Sequence, residues 1–422
     1  MPIPPVIQPM LLDHLTLPRL TTMPNGVPLY ELNGADRGVV RFDILFKGGY
    51  AVQNKPLLAM FTNRMLREGT GSLTAAEISQ KLDYYGAWID MYSSQNCNHI
   101  TLYTMSKHFV PLLQVLEDMV KRPLFPQENL DTVRSNNKSY FVINSHKVDV
   151  VSQRYFENSL WGDGHPLGHV VEACDYDAIS REDILDYYKN YYGSRNCTMF
   201  ISGSLDDTML ASLSKCFGKE VWGCEDVCVP AEVLSPLPQV GRRFISVPDT
   251  MQSAVKMGFM AMDASHPDFY KFRFLCVLLG GYFGSRLMSN IREENGYTYH
   301  IAAELDAYGN RNAFMVSSET ANEYVEALIK EVYLELEKLV SSPVDISEIE
   351  LVRNYIMGEL CREYEGQSAK SEVFINAWLS GVDFNSVNQY LDEIKSITPD
   401  DLNRLAREYF KKENMIEIVA GK

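Results

Sequence analysis

The sequence lacks the motifs that mark several large enzyme classes. Its 422 residues contain no GxxxxGK[ST] phosphate loop, no GxSxG nucleophile elbow and no GxGxxG turn after a strand. It also lacks a long apolar run, so we expect no membrane span, and with no secretory segment we expect a cytoplasmic location. Lys and Arg total 39 against 55 Asp and Glu, a net charge of −16. This balance argues against nucleic-acid binding, which uses basic surfaces.

Close groups of metal-binding cysteines are also absent. The eight cysteines are scattered along the chain, which is typical of reduced thiols and not of a disulfide framework. Cys224 and Cys228 form the only close pair, and no histidine or further cysteine stands near them. We therefore expect no metal site there.

An internal repeat is the clearest sign of organisation. The segment from Ile179 to Gly203 aligns without a gap on the segment from Ile397 to Gly421, at an offset of 218 residues. Each copy has a Ser/Thr cap, an acidic first turn, an aromatic pair and an apolar run that ends in glycine, which predicts a helix followed by a strand. A second pair, Leu116–Arg134 and Leu336–Arg353, supports a duplication.

The duplication predicts two domains of similar fold, which is also the prior for this length. We expect an N-terminal domain at residues 1–220, a proline-rich linker at 221–240 and a C-terminal domain at 241–422. Thr74 and Glu77 form a capping box, and alternating strand patterns follow that helix. Strands and helices without strict βαβ alternation predict the α+β class, with helices packed on mostly antiparallel sheets.

The segment from Leu57 to Asp90 carries a Met-Leu pair, then a Gly-Thr pair, then a Thr-capped helix. This frame resembles the metal-binding helix of the pitrilysin/insulinase family of zinc peptidases, which includes the mitochondrial processing peptidase. In that family the helix carries His-x-x-Glu-His, and two α+β halves face each other like a clamshell. Met60, Asn63 and Arg64 stand here at the positions of the two histidines and the glutamate.

The residues at these positions are unsuited to zinc chemistry. A thioether, an amide and a guanidinium are poor zinc ligands, and an amide does not titrate as a general base must. The family's third ligand is a glutamate on a later helix, but no acidic residue occurs between Asp131 and Asp149. We therefore expect that this chain binds no metal cofactor and has no peptidase activity alone.

The second half carries a further family signature between Leu278 and His300. The resemblance implies that Arg292 and Tyr299 reach towards a zinc site and steady the scissile carbonyl, a role suited to hydrogen-bond donors. Tyr297 is a rival for the tyrosine role. The alternative is structural: Arg292 could form a salt bridge, and Tyr299 could be a half-buried strand residue.

Two smaller motifs leave alternatives open. Gly280, Gly281 and Gly284 resemble a shortened form of the glycine-rich loop in the non-catalytic subunit of the processing peptidase, which would guide substrate. They could equally form a tight turn that needs positive φ. His165 and His169 are the only close histidine pair, but Pro166 and Gly168 predict a loop, so we expect no metal there.

These observations favour a non-catalytic subunit of a heterodimeric zinc metallopeptidase. The chain would contribute a peptide-binding chamber and the Arg292/Tyr299 pair, and the partner subunit of the same family would hold the zinc. A structural or peptide-binding pseudo-peptidase is the alternative, and the sequence leaves open whether the chain forms a homodimer or a heterodimer. An independent hydrolase is a third possibility, for which no set of residues stands out.

Overall fold

The computed structural model describes residues 12–34, 38–223 and 235–422. Strands β1–β6 form a six-stranded sheet in the first half (residues 12–223), and β7–β11 form a five-stranded sheet in the second half (residues 235–422). The strands are β1 Arg19–Thr22, β2 Pro28–Asn33, β3 Val39–Lys47, β4 Trp88–Ser93, β5 Cys97–Met105, β6 Cys197–Gly203, β7 Gly241–Ser246, β8 Gln252–Met260, β9 Thr298–Tyr308, β10 Arg311–Ala321 and β11 Ile416–Gly421.

Fourteen α-helices occur in these ranges. They are α1 Leu58–Met65, α2 Ala75–Tyr85, α3 Phe109–Lys121, α4 Gln127–Asn144, α5 Val148–Trp161, α6 Ala173–Asp177, α7 Arg181–Tyr191, α8 Asp207–Leu213, α9 Phe269–Gly280, α10 Val325–Ser341, α11 Ile346–Glu363, α12 Gln367–Leu379, α13 Asn385–Ser396 and α14 Pro399–Tyr409. Most strand pairs are antiparallel. The predicted α+β class is confirmed.

The two sheets share one topology. The first has the order β1-β2-β6-β3-β5-β4 and the second β7-β11-β8-β10-β9, so each strand of the second sheet has a counterpart in the first. Each sheet contains one parallel pair, β2 with β6 and β7 with β11, at equivalent places. The strands β4 and β9 are the free edges at equivalent ends.

The repeated helices are also built alike. Asp183 in α7 and Asp401 in α14 are each the third residue of a capping box, opposite Ser180 and Thr398. Each aspartate pairs with a lysine from an earlier segment of its own half, at 2.7 Å from Lys55 and at 2.8 Å from Lys271, respectively. The two copies of the sequence repeat thus have the same local structure, including an equivalent aspartate–lysine ion pair.

Two helices are exchanged between the halves. Helix α5 of the first half packs on β8 and β11 of the second sheet, and α12 of the second half packs on β2 and β6 of the first. Phe156 of α5 lies fully buried against the second sheet. Gly258 of β8 permits this approach, because a Cβ atom there would lie 2.9 Å from the Phe156 ring and 1.9 Å from the Phe314 carbonyl oxygen.

The predicted linker is described only in part. Residues 224–234, which include Cys224 and Cys228, lie outside the described residues. Residues 221–223 pair with the segment after α7, where the Ser194 amide donates to the Trp222 carbonyl at 2.8 Å. Residues 235–240 lie along α5, where the Leu237 amide donates to the Trp161 carbonyl at 3.1 Å and the Gln239 amide donates to the Ser159 carbonyl at 2.7 Å. The described end of the linker is therefore held against the exchanged helix.

Candidate functional site

Asn63, at the position of the family's glutamate, is part of a buried hydrogen-bond network. Its side chain is 1% exposed. The amide nitrogen Nδ2 donates to the carbonyl oxygens of Tyr92 at 2.8 Å and His99 at 2.9 Å. The Tyr192 hydroxyl donates to Oδ1 at 3.1 Å. Asn63 therefore ties α1 to β4, to β5 and to the segment after α7, and none of its polar atoms is left for a ligand.

The other two positions are less buried: Met60 is half-buried and Arg64 is exposed. Met60 packs against the hydrophobic core of the first half. Arg64 donates from Nη1 to Oδ1 of Asn137 on α4 at 2.9 Å. The described residues contain no group of three His, Cys, Asp or Glu side chains able to hold a metal ion. The donors at these positions do not fit zinc, and no catalytic step through a metal follows from this chain.

His99 lies beside this network and was not singled out from the sequence. It is 2% exposed and stacks on Tyr92, with ring centroids 4.2 Å apart. Its Nε2 atom lies 3.1 Å from the Ser94 hydroxyl oxygen. Burial, together with the charge of Arg41, lowers the pKa of His99 to about 4. The imidazole is therefore neutral at pH 7.

Acid should destabilise this region through His99. Its pKa is near 6.5 in the unfolded chain, so the unfolded state takes up the proton first as the pH falls. The stabilising contribution is complete above pH 6.5 and is lost as the pH falls towards 4. When the pH is lowered from 7.5 to 4.5, we expect the free energy of unfolding of wild type to fall by about 2–3 kcal/mol more than that of His99→Gln, as measured by urea unfolding. An equal loss in both proteins would contradict this.

Arg292 and Tyr299 lie on different elements at one end of the second sheet. Arg292 belongs to a π-helical turn, Met288–Glu294, and its guanidinium carbon lies 4.7 Å from the centre of the Phe283 ring. Its Nε atom is 3.5 Å from a carboxylate oxygen of Glu293. Tyr299 is 87% exposed near the start of the edge strand β9. Tyr299 is thus not the half-buried strand residue of the structural alternative.

Tyr299 lines a cavity of about 360 Å³ between the second sheet and the exchanged helix α5. Asp149 and Ser152 of α5 face it, and Lys256 of β8 also lines it. Arg292 is not among the lining residues. Tyr297 precedes β9 and stacks on Tyr324, with ring centroids 5.2 Å apart. The two candidate tyrosines therefore have different environments, one exposed and one packed.

The glycines after α9 do not provide a turn of positive φ. None of Gly280, Gly281 and Gly284 has a left-handed backbone, so that interpretation is wrong. Close packing explains two of them instead: a Cβ atom on Gly280 would lie 2.4 Å from the Ala303 nitrogen, and one on Gly281 would lie 2.6 Å from the Val277 Cα atom. The substrate-guiding role stays a prediction.

The histidine pair His165 and His169 has two separate structural roles. His165 is buried, stacks near Trp161 at 4.4 Å and accepts a hydrogen bond at Nδ1 from the Leu167 amide. His169 lies 2.8 Å from an Asp175 carboxylate oxygen. The rings are held by different partners, so the geometry does not present a metal site.

The fold and the site define a class: a two-half α+β protein with the frame of a zinc peptidase and without its ligands. Residues 178–356 match the family described as peptidase M16 inactive domain. A crystal structure of a peptidase M16 inactive domain from Pseudomonas fluorescens superposes with a TM-score of 0.86 at 18% identity, covering 96% of this chain and 98% of that one.

Two relatives extend the likeness over most of the sequence. An uncharacterized zinc protease from Rickettsia felis is 22% identical over 406 residues, which cover 93% of this chain and 94% of the relative. The non-peptidase homolog YmxG of Helicobacter pylori is 20% identical over 391 residues, 85% and 84% of the two chains. The resemblance to the pitrilysin/insulinase family, called peptidase M16 in these descriptions, is confirmed. The chain fits an inactive member of that family, a pseudo-peptidase.

Proposed function

We propose that this chain is the non-catalytic subunit of a heterodimeric zinc metallopeptidase. A partner subunit of the same family holds the zinc ion, and this chain contributes part of the peptide-binding chamber. Arg292 and Tyr299 complete the partner's active site as hydrogen-bond donors to the developing oxyanion. A cytoplasmic location is part of the same proposal.

One observation carries this proposal. Asn63 of α1 is buried and hydrogen-bonded at both of its polar atoms, whereas the phenol of Tyr299 is 87% exposed on an edge strand. A large aromatic side chain so exposed is open to contact with a second chain, because aromatic residues are enriched in protein interfaces. Arg292 lies nearby in sequence over the 63% exposed ring of Phe283, so a second donor accompanies the tyrosine.

A structural or peptide-binding pseudo-peptidase is the second candidate. It is favoured by the position of Arg292, which lies over Phe283, approaches Glu293 and does not line the cavity that Tyr299 faces. In this case the chain would preserve the architecture of a peptidase without taking part in the chemistry.

Metal analysis of the native complex tests the leading proposal. The chain purified from its host under mild conditions should bring down a second chain that carries His-x-x-Glu-His. We expect about one zinc ion per pair and none on this chain when it is isolated, because Met60, Asn63 and Arg64 offer no ligand set. A reading frame next to this one is the first place to look for the partner.

Two outcomes would contradict the proposal. Stoichiometric zinc on the isolated chain, lost when residues around Met60 are replaced, would show that the site was misread. Purification without any zinc-binding partner, in a host that contains such chains, would favour the scaffold instead.

A further inference from the structure

A second and larger cavity lies between the two halves, and no residue of α1 lines it. Its volume is about 760 Å³, within the range of small-molecule sites. The hairpin of β4 and β5 forms its wall on the first half, and α9, α12, α13 and the hairpin of β9 and β10 enclose it from the second. Neither Arg292 nor Tyr299 lines it, so it is distinct from the surface in the proposed function.

Arg273 of α9 is the one Arg or Lys side chain among the described residues that line this cavity, which also include Glu363 and Glu372. Its neighbours Phe272 and Phe274 are fully buried in the core of the second half, whereas Arg273 presents its side chain to the cavity. Within the described ranges no carboxylate lies within 4.0 Å of its guanidinium. Its guanidinium carbon lies 4.9 Å from the centre of the Tyr390 ring. The guanidinium thus has an aromatic support and no anionic partner from the protein.

Flat aromatic surfaces stand on both sides of the cavity. Tyr270 and Tyr390 stack with centroids 4.8 Å apart on the second half. Tyr92 and His99 stack with centroids 4.2 Å apart on the first half. Aromatic walls with one convergent charged group are typical of a site that orients a planar ligand.

The other charged groups around the cavity do not pair with Arg273. Glu372 is already paired with Arg41, which also binds Asp43 at 2.9 Å. Glu363 lines the cavity without reaching ion-pair distance of Arg273. Tyr390 and, to a smaller extent, Glu363 raise the pKa of Arg273. The guanidinium therefore stays charged, and an incoming anion has a donor fork free to receive it.

We propose that this cavity binds a carboxylate-bearing ligand with a flat aromatic body. The carboxylate pairs with Arg273, and the ring lies between the Tyr270/Tyr390 and Tyr92/His99 pairs. Such chemistry has two sources, a free aromatic acid or the carboxyl-terminal aromatic residue of a peptide. The proposal goes beyond the proposed function and does not depend on a peptidase partner.

Calorimetry with matched probes tests the charge. Hippurate and hippuramide have the same benzoylglycine body and differ in the carboxylate. We expect wild-type full-length chain to bind hippurate about 10- to 100-fold more tightly than hippuramide, as a charge-assisted pair requires. Arg273→Met should remove this preference and leave hippuramide binding unchanged. Equal affinity for both probes in wild type, or no binding of either, would overturn the proposal.

Two further variants keep the test decisive if Arg273→Met does not fold. Arg273→Lys keeps the charge but not the planar fork and should weaken hippurate binding less than Arg273→Met. Glu363→Gln removes a negative charge near the site and should tighten hippurate binding, whereas an unchanged or weaker affinity would count against the proposed pose. Circular dichroism and thermal unfolding show whether each variant is folded.

A third comparison separates the two ligand sources. The peptide Ala-Ala-Phe with a free carboxyl terminus is compared with its carboxyl-terminal amide. Tighter binding of the free acid than of hippurate would assign the site to peptide termini, and binding of hippurate alone would assign it to free aromatic acids. Either result supports a carboxylate site centred on Arg273. If Arg273→Met still prefers hippurate to hippuramide and the free-acid peptide to its amide, the site is rejected.

Discussion

Replacing Arg292 by alanine in the assembled heterodimer should lower kcat by about 10²–10³, and Tyr299→Phe should have an effect of the same order. If the proposed function holds, each change removes one donor to the oxyanion of the transition state, and such a donor typically contributes roughly 3–4 kcal/mol. Assembly should be unaffected, because Tyr299 is 87% exposed and Tyr299→Phe removes only one hydroxyl group. Steady-state cleavage of a fluorogenic peptide by the reconstituted pair, with size-exclusion chromatography for assembly, measures both.

Tyr297→Phe is the matched control. Tyr297 stacks on Tyr324 before β9 begins, so its hydroxyl can be removed while the ring contact stays. We expect near wild-type kcat for this variant. A large loss there and none in Tyr299→Phe would exchange the roles of the two tyrosines. Full activity in all three variants would reduce the chain to a scaffold and leave the peptidase chemistry wholly to the partner.

Replacing Asn63 by alanine should lower the free energy of unfolding by about 3–5 kcal/mol. The change removes the hydrogen bonds to the carbonyl oxygens of Tyr92 and His99, and it leaves the buried hydroxyl of Tyr192 without its acceptor. Each buried polar group left unpaired costs about 1–3 kcal/mol. Urea unfolding at pH 7 measures the loss. Asn137→Ala is the control. It removes the exposed hydrogen bond to Arg64 and should lower the free energy of unfolding by less than about 1 kcal/mol.

Asn63→Asp tests the same network by the direction of its effect on stability. A carboxylate only accepts hydrogen bonds, so at pH 7 it would face two carbonyl oxygens with no donor between them. The variant should therefore be less stable than Asn63→Ala. Burial beside acceptors raises the folded-state pKa of the new carboxyl group, so the penalty is largest at neutral pH and shrinks as the pH falls. Equal stability of the two variants would contradict the structural role of Asn63.

The network around Asn63 also bears on the expected absence of zinc from this chain. A glutamate at position 63 would have to leave the hydrogen bonds that the amide makes with β4 and β5. Restoring the family's motif at Met60, Asn63 and Arg64 would therefore remove the contacts by which Asn63 holds α1 against these two strands.

Features fixed by neighbouring residues could be predicted from the sequence. The capping box of α2 and the Ser/Thr caps of α7 and α14 form as expected, because a Ser/Thr cap and an acidic residue three positions later bond within one helical turn. The repeat predicted paired helices and strands, because similar residues in the same order favour the same secondary structure. The unsuitability of Met60, Asn63 and Arg64 for zinc follows from side-chain chemistry alone.

Contacts between residues that are far apart in the chain could not be predicted from the sequence. The glycines after α9 were open to a positive-φ interpretation, but the close approach of Ala303 to Gly280 comes from a strand more than twenty residues away. His99 looked like one member of an alternating strand, and its stacking on Tyr92 depends on the pairing of β4 with β5. Neither contact has a local sequence signal.

The sequence by itself determined a duplicated α+β chain that kept the frame of a zinc peptidase and lost its ligands, because those properties depend on local pattern and residue chemistry. The tertiary structure alone decided the exchange of α5 and α12, the network around Asn63 and the position of Arg273 over the ring of Tyr390. These depend on which distant segments meet when the two halves bury their apolar faces, and that is a property of packing, not of spacing along the chain.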